Sequence, residues 1–371
     1  MITKYAMILL LSMTAAGWSC SDPARPAVDA GPDATPDADA GPDADVVNPL
    51  SGRTWEEVLP AGERWEARGG FGAVVFDGKL WVMGGMVSRG GTPAVVNDVW
   101  VTADGVAWER VKPDDASGWC ARANFAAFVA GGRMWVTGGN WDDAGEPAYE
   151  SDAWWSVDGV TWTRVLESHW PATDTAWGDR KGHAGVGSGG RLFVLGGADT
   201  AALADVWVSD DGAVWERLTL SGEAWEGRAH AAVLSREDTL WLLGGQRGYT
   251  TEAFDDVLSS PDGARWTRAG TLPAPVYGHA AAVFDGDLWV LGGQGSGDDG
   301  SGTPTGSHVW RSPDGDVWTA VSPDAPFPPR WYHQAVVFQE TLWVLGGVYQ
   351  EGMGIALRDD LWRLTPDPEA R

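Results

Sequence analysis

Five segments of the sequence place an aromatic residue three positions before an arginine. They recur about every fifty residues, at Trp65–Arg68, Trp119–Arg122, Trp177–Arg180, Trp225–Arg228 and Phe327–Arg330. Guanidinium groups pair bidentately with carboxylate, phosphate or sulfate. Flat aromatic rings stack on sugars, on aromatic ligands or on arginine itself. Grouped together, these side chains predict a site for an acidic or sugar-like ligand, or for an acidic, aromatic-rich protein loop.

The elements that position these residues belong to a repeat that begins near residue 54. Six apolar segments, such as KLWVMGG and TLWLLGG, end in a glycine pair and lie 48 to 58 residues apart. A period near fifty indicates the blades of a propeller. Each unit is predicted to form four short strands. The first is small and apolar, the second ends in Gly-Gly, the third contains Asp-Val-Trp or a relative, and the fourth begins with tryptophan.

The sixth unit lacks a fourth strand, because the sequence reaches Arg371 soon after DLWRL. Thr54–Val58 has the pattern of that strand and precedes the first unit. It is therefore predicted to complete the last blade, which closes the ring and removes an open sheet edge. The predicted fold is all-β: a six-bladed β-propeller over residues 51–365, followed by a short tail at 366–371.

The glycine pair, the downstream tryptophan and the period of about fifty together resemble kelch repeats. This resemblance implies a β-propeller, for which six blades is a usual number. A second resemblance lies between the third and fourth strands. The segments SVDGVTW, SPDGARW and SPDGDVW are similar to the Asp-box hairpin of sialidase-type propellers, which implies a folding element on the outer part of a blade.

The first fifty residues have a different character. Residues 1–20 read as an export signal, with Lys4 followed by an apolar run that is too short to span a bilayer. Cys20 resembles the lipid-attachment cysteine of bacterial lipoproteins. Residues 21–50 contain seven Asp and one Arg among Pro, Ala and Gly, which predicts a disordered linker. The chain is thus expected to be exported and lipid-anchored to the cell envelope, at the outer membrane or cell surface, or alternatively secreted or periplasmic.

The formal net charge of −26 argues against nucleic acid as a partner and against docking on anionic lipid. Membrane contact is therefore expected only through an anchor at Cys20. The partner is predicted to be an unknown protein or an acidic or sugar ligand, and no cofactor or metal site is predicted. The acidic pairs Asp142–Asp143 and Asp298–Asp299 read as solvated loops, and Cys120 reads as a small buried residue.

Strand alternation is expected to place the five arginines around the mouth of the central channel, with the aromatic residues slightly further out. Blade V breaks the ring, because Val276 replaces the arginine. An alternative stays open, in which each arginine pairs with a carboxylate such as Glu66, Glu226 or a third-strand Asp and serves the structure alone. His183, His279 and His333 share one position with phenylalanines of other blades, which indicates inner-strand packing.

No catalytic residue is assigned, because no known catalytic motif is present. The predicted function is a binding or interaction module that acts through the arginine- and tryptophan-rich loop face. The alternative is a periplasmic or extracellular sugar-acid enzyme that resembles a sialic-acid mutarotase or a sialidase. In the sialidase-like alternative the arginines hold the substrate carboxylate, and Tyr277 or Tyr332 lies at the rim as the attacking group. In the mutarotase-like alternative the same arginines act with a carboxylate or histidine base.

Overall fold

The computed structural model describes residues 53–366 except 144–145, 169–171, 249, 251, 296–307, 323–324 and 352–353. The predicted signal segment, Cys20, the linker and the tail beyond residue 366 lie outside the described residues. The described residues form six sheets arranged as the blades of a propeller. The prediction of an all-β, six-bladed propeller is confirmed. Within the described part, no helix has the length and apolar character needed to cross a bilayer.

The main strands of each blade are antiparallel and follow one another along the chain, apart from β1 (Arg53–Val58), which belongs to the last blade. Two short strands add to this pattern: Arg68–Gly69 in blade I, and Ser221–Gly222 in blade IV, which pairs parallel with Arg265–Thr271. Blades I and II contain β2 (Arg68–Gly69), β3 (Gly72–Phe76), β4 (Lys79–Arg89), β5 (Thr92–Thr102) and β6 (Glu109–Lys112), then β7 (Ala126–Ala130), β8 (Arg133–Asp143), β9 (Glu146–Ser156) and β10 (Thr163–Leu166). Blades III and IV contain β11 (Ala184–Ser188), β12 (Arg191–Leu195), β13 (Val206–Ser209) and β14 (Glu216–Arg217), then β15 (Ser221–Gly222), β16 (Ala232–Arg236), β17 (Thr239–Leu243), β18 (Asp256–Ser260) and β19 (Arg265–Thr271). Blades V and VI contain β20 (Ala280–Phe284), β21 (Asp287–Leu291), β22 (Val309–Ser312) and β23 (Thr319–Ser322), then β24 (Gln334–Phe338), β25 (Thr341–Glu351) and β26 (Gly354–Pro366).

The N-terminal strand closes the ring. β1 lies antiparallel beside β26, with Arg53 opposite Pro366 and Val58 opposite Leu361. The strand order of blade VI is therefore β1-β26-β25-β24. The prediction that Thr54–Val58 completes the last blade is confirmed. The first and last segments of the propeller thus share one sheet, so that the blade cannot form without both.

The glycine pairs are required by close contacts between blades. The first glycine of every pair has φ between 52° and 58°, and the second has φ between 91° and 112°. A Cβ on Gly138 would come within 2.6 Å of His183 in the next blade, and one on Gly292 within 2.8 Å of His333. Glycine meets both demands, because it adopts positive φ freely and leaves room for the neighbouring ring.

Asp-box turns join the third and fourth strands of blades I to V. In blade II, Ser156 Oγ accepts hydrogen bonds from the backbone N–H groups of Asp158 and Gly159. Asp158 Oδ1 in turn accepts from the N–H groups of Val160 and Thr161. The turns that begin at Thr102, Ser209, Ser260 and Ser312 repeat this pattern. Five turns therefore have the geometry that the sequence indicated for three.

The two faces of the propeller differ in relief. In blades I, II and VI the second and third strands continue past the glycine pair as paired hairpins, which end at Arg89, Asp143 and Glu351 on their second strands. In the other three blades the second strand ends just before the glycine pair. The face with these extensions is called the hairpin face below. The opposite side, with the two-residue turns between first and second strands and the Asp-box turns, is called the turn face.

One turn between first and second strands offers a direct stability test. Gln339 and Glu340 both have positive φ, 50° and 58°, whereas the equivalent turn of blade V ends in Gly286. A left-handed conformation costs a non-glycine residue about 1 to 2 kcal/mol. Glycine avoids this cost, but part of the gain is offset because glycine loses more conformational entropy on folding. We expect Glu340→Gly to raise the free energy of urea unfolding by about 0.5–1 kcal/mol. The matched change Gly286→Glu, in open space, should lower it, and equal stability of all three proteins would contradict the strain.

Candidate functional site

The five predicted site arginines lie inside the blades. Their exposed fractions are between 0% and 2%, for Arg68, Arg122, Arg180, Arg228 and Arg330. The guanidinium of Arg180 shows the shared geometry. Its Nε donates to the carbonyl of Gly178, and its Nη1 donates to the carbonyl of Gly196, the first glycine of the pair in the same blade. Both terminal nitrogens then bond one carboxylate.

That carboxylate is the third-strand aspartate of the same blade. Arg180 Nη1 lies 2.8 Å from Asp205 Oδ1, and Nη2 lies 3.0 Å from Oδ2. The indole N–H of Trp207 also donates to Oδ2, at 2.8 Å. The other four arginines pair in the same way, with Asp98, Asp152, Asp256 and Asp360. Four of the five N–H donors of each guanidinium group are therefore bonded within the protein. This agrees with the alternative in which each arginine pairs with a carboxylate and serves the structure.

These pairs set the charge state of the aspartates. Burial alone raises the pKa of Asp98, Asp205 and Asp360, but the paired guanidinium and the indole N–H outweigh it, so each pKa lies below its ordinary value. The carboxylates are thus held ionised in the interior. Each pair is neutral overall and hydrogen-bonded through four N–H donors, which offsets the cost of burying two charges.

The aromatic residues of the motif are buried as well. Trp65, Trp119, Trp177, Trp225 and Phe327 have exposed fractions between 0% and 7%. Each ring lies 5.3 to 5.9 Å from the guanidinium carbon of its own arginine, within the range of a cation–π contact. Trp177 also packs edge-to-face on Trp215 of the fourth strand, with ring centroids 6.0 Å apart. The aromatic residues therefore fill the space between blades.

The backbone of the same segment fastens one blade to the one before it. The carbonyl of Arg180 accepts a hydrogen bond from the N–H of Gly139, the second glycine of the pair in blade II. The carbonyls of Arg122, Arg228 and Arg330 are bonded equivalently. The motif therefore links neighbouring blades. The prediction that the five guanidinium groups stand exposed around the channel mouth is wrong, because all five are buried inside the blades.

Blade V lacks both the arginine of the motif and the aspartate that pairs with it in the other blades. Val276 stands in place of the arginine, and His308 stands in place of the third-strand aspartate. His308 stacks on Trp310, with ring centroids 3.9 Å apart and planes 16° apart, where blades I, II, III and VI have a carboxylate bonded to an indole. This joint replacement is the sequence signal that identifies the arginine's partner.

A ring of backbone hydrogen bonds surrounds the end of the channel on the hairpin face. It joins the residues two positions after the arginine position, and all six have positive φ, between 52° and 61°. The N–H of each donates to the carbonyl of its counterpart in the preceding blade, in the closed series Gly70, Asn124, Gly182, His230, Gly278 and Tyr332. Sequence reasoning missed this ring, because its partners lie about fifty residues apart.

Three larger side chains alternate with three glycines in this ring. Asn124, His230 and Tyr332 occupy the space that a side chain on the neighbouring glycine would take. The rings of His230 and Tyr332 lie 4.7 Å apart. These side chains lie at the hairpin-face end of the channel. Below them the channel encloses about 490 Å³ and is lined by the six inner strands.

The tyrosines of the enzyme alternative lie at this level. Burial raises the pKa of Tyr277 to about 12, and burial together with Tyr277 raises the pKa of Tyr332 still further above its ordinary value. Both phenols are therefore protonated at neutral pH, which weakens them as nucleophiles. His183, His279 and His333 are buried between blades, as the inner-strand interpretation expected.

The other polar residues singled out from the sequence are the acidic pairs and Cys120. Among the described residues, no group of three or more His, Cys, Asp or Glu has the geometry to hold a metal ion. Asp298–Asp299 lies outside the described residues, and so do the side chains of Asp142–Asp143. Cys120 is exposed and carries a free thiol, in contrast to the buried position expected from the sequence.

Comparison with known proteins decides the family. A family model described as the KLHDC2/KLHL20/DRC7 Kelch-repeats domain matches residues 37–245, more than half of the chain. The chain belongs to the kelch-repeat family. The resemblance drawn from the glycine pairs is thereby confirmed, and the buried Arg–Asp pairs are features of a kelch propeller.

Several curated proteins resemble this kelch propeller over part of their length. Human Kelch-like protein 34 is 31% identical over 212 residues, which cover 51% of this chain and 32% of that protein. Human Kelch-like protein 33 is 32% identical over 154 residues, 38% of this chain and 27% of that protein. Mouse Leucine-zipper-like transcriptional regulator 1 is 26% identical over 254 residues, 64% of this chain and 29% of that protein. The chain thus spans about a third of the length of these relatives.

Acid is expected to destabilise this kelch propeller before its carboxylates titrate. Burial lowers the pKa of His183, His230 and His279 from 6.5 to about 3. Between these pH values the unfolded chain binds protons that the folded chain does not. The free energy of unfolding is therefore unaffected by these three histidines above pH 6.5, and it decreases as the pH falls from 6.5 toward 3. Each histidine changes the free energy of unfolding by up to about 1.4 kcal/mol per pH unit. The urea midpoint should therefore fall steadily from pH 7 to 4.5, and a constant midpoint would contradict neutral burial.

Proposed function

We propose that this kelch propeller is a protein-binding module whose partner docks on the hairpin face. The observation that carries the proposal is the contrast between the two faces. Three consecutive blades, VI, I and II, extend paired strands beyond the glycine pairs, whereas the turn face has only short turns. Variable loops on a rigid scaffold are the usual place of binding, and hairpins side by side offer a broad surface of the kind a protein partner requires.

The interior of the hairpin face favours a protein over a small acidic ligand. The arginines that would hold a carboxylate are already paired with aspartates, and their exposed fractions are at most 2%. Asn124, His230 and Tyr332 surround the channel mouth, and none of them is a cation suited to hold a carboxylate at neutral pH. Exposed side chains suited to contact a partner lie instead on and between the hairpins, such as Thr92 and Glu351.

We also propose that the chain is exported and anchored through a lipid on Cys20. The motif around Cys20 and the acidic linker at 21–50 support this proposal. At about 3.1 Å per residue, the linker would reach at most about 90 Å. β26 runs from the hairpin tip at Gly354 to Pro366, and Arg53 lies opposite Pro366. The linker therefore joins the propeller on the turn-face side, and an anchored molecule would present its hairpin face away from the membrane.

The binding proposal is tested by capture from a cell-envelope extract of the source organism, with two matched variants. Thr92→Lys, Thr200→Lys and Glu351→Lys alter exposed residues of the hairpin face, whereas Val214→Lys, Val317→Lys and Glu340→Lys alter exposed residues of the turn face. Both triple variants change the net charge by the same amount. A protein that is retained by wild type and by the turn-face variant, but lost by the hairpin-face variant, supports the proposal. Equal capture by both variants, or capture of no protein, contradicts it.

The anchor is tested separately by detergent phase separation of the full-length chain made in a bacterial host. Wild type should enter the detergent phase, and Cys20→Ser should enter the aqueous phase, because a lipid chain is the only expected membrane contact. Wild type in the aqueous phase would overturn the anchor and leave the binding proposal untouched.

A further inference from the structure

In blade V, the segment before the inner strand lacks the side-chain bonds that hold it to the third strand in the other blades. In five blades the arginine before the inner strand bonds both the aspartate of the third strand and the carbonyl of the first glycine. In blade V this arginine is Val276 and the aspartate is His308, so the side-chain clamp is missing. The segment keeps its backbone hydrogen bonds to blade IV, from Gly245 to the carbonyl of Val276 and from Val276 to the carbonyl of Phe254.

Buried imidazoles occupy the seams on both sides of this blade. The seam with blade IV contains His279, whose ring packs over Gly244, and the seam with blade VI contains His333, whose ring packs over Gly292. Their exposed fractions are 7% and 2%. Neither ring nitrogen of either residue has a hydrogen-bond partner among the described residues. His333 lies beside the backbone of Leu291 without the geometry of a hydrogen bond.

Within the part of the chain that the structure describes, no unpaired carboxylate is found facing these rings. His279 faces His308 of its own blade, and on the blade IV side the carbonyl of Gly244 is held by the Arg228–Asp256 pair. His333 faces His279, His308 and Arg330, whose charge is matched by Asp360. Protonation of either imidazole in the closed ring would therefore bury a cation near other cations and dipoles without a counter-ion, which is strongly unfavourable.

We propose that the two seams of blade V form an acid-sensitive hinge, at which the ring opens locally while the remaining seams stay closed. Opening brings His279 and His333 into contact with water, where an imidazole accepts a proton below about pH 6.5. Burial holds the pKa of both rings far below that value in the closed ring, with His308 adding to the effect at His279 and Arg330 at His333. Each imidazole that becomes exposed should raise the population of the open form roughly tenfold per pH unit below 6.5.

The seam between blades II and III provides an internal control. His183 is buried there as well, but its Nε2 lies 3.0 Å from Thr137 Oγ1, and both blades retain their Arg–Asp pairs. Blades I and II show which replacement the position accepts, because phenylalanine packs over the glycine of the preceding blade there, as Phe71 does on Gly346 and Phe125 on Gly84.

The test is hydrogen exchange of the full chain, measured by mass spectrometry at pH 7 and pH 5 and expressed as protection factors, in which the intrinsic pH dependence cancels. Protection of β20, β21 and β24 should fall by at least about tenfold, while β7, β8 and β11 change less. The double variant His279→Phe and His333→Phe should remove the fall, and His183→Phe should leave it intact. A uniform fall in all six blades, no fall, or a fall that persists in the double variant would overturn the proposal. If the double variant does not fold, each single variant should reduce the fall, and the comparison of blades in wild type remains decisive.

Discussion

Replacing Arg180 by valine is expected to lower the free energy of unfolding by about 3–5 kcal/mol, because it leaves a buried carboxylate without its cation. Asp205 would keep only the indole N–H of Trp207, and the carbonyl of Gly196 would lose its donor. Urea unfolding followed by tryptophan fluorescence measures the change. The effect should exceed that of truncating an exposed arginine such as Arg164, whose side chain is 47% exposed.

The same experiment has a rescue built into the sequence. Blade V already carries a valine and a histidine at the two positions, and His308 stacks on Trp310 there. Adding Asp205→His to Arg180→Val should therefore recover a large part of the loss, with a coupling of at least about 2 kcal/mol. The reverse pair in blade V is the matched control. Val276→Arg alone buries an unpaired cation, and His308→Asp should compensate for it. Strictly additive effects in both cycles would show that the pairs do not act as units.

The architecture could be predicted because it depends on patterns that are local and repeated. The glycine pairs, at spacings of 48 to 58 residues, mark where each second strand meets the next blade. The N-terminal strand was identifiable because Thr54–Val58 has the pattern missing from the sixth unit. Register follows from the same alternation, and Val58 lies opposite Leu361 as an apolar pair. Each of these features is decided by side chains within a few residues of one another.

The place of the arginines could not be predicted from loop order alone. The motif precedes the inner strand, so a simple alternation of strand directions sends it to the surface. The side chain instead turns inward, because the third-strand aspartate lies 25 to 30 residues away in sequence and within hydrogen-bond distance in space. The substitution of both partners in blade V, by Val276 and His308, is the one sequence signal from which this pairing could have been inferred.

The ring at the channel mouth was hidden for a different reason. Its six members are Gly, Asn, Gly, His, Gly and Tyr in blade order, and only their backbone conformation is shared. Positive φ is common for glycine, less common for asparagine and histidine, and unusual for a bulky residue such as tyrosine. The hydrogen bonds of the ring supply the energy that holds His230 and Tyr332 in this conformation. A feature that depends on closure of the whole ring leaves no local pattern in the sequence.

Deleting residues 53–58 is expected to cost the propeller about 3–6 kcal/mol and to make it associate. The deletion removes β1, with it the buried side chain of Val58 and the edge-on contact of Trp55 with Phe327, whose centroids lie 5.1 Å apart. It also removes the ion pair of Arg53 with Asp285 of blade V. The edge of β26 would then present unpaired N–H and C=O groups, which pair readily with another chain. Urea unfolding and light scattering measure the two effects.

A circular permutant separates the loss of the strand from the loss of chain order. Arg53 lies directly opposite Pro366, so a four-residue Asp-box-like turn from Pro366 to Arg53 would continue the sheet as in the other blades. New ends can be opened at Gly62, whose surroundings are free within 4 Å. This permutant should remain monomeric and should keep most of the stability, because β1 then follows β26 and pairs with the same register. If the permutant is as unstable as the deletion, the presence of β1 in the sixth blade is not enough. The stability would then depend on β1 coming from the N-terminal end of the chain.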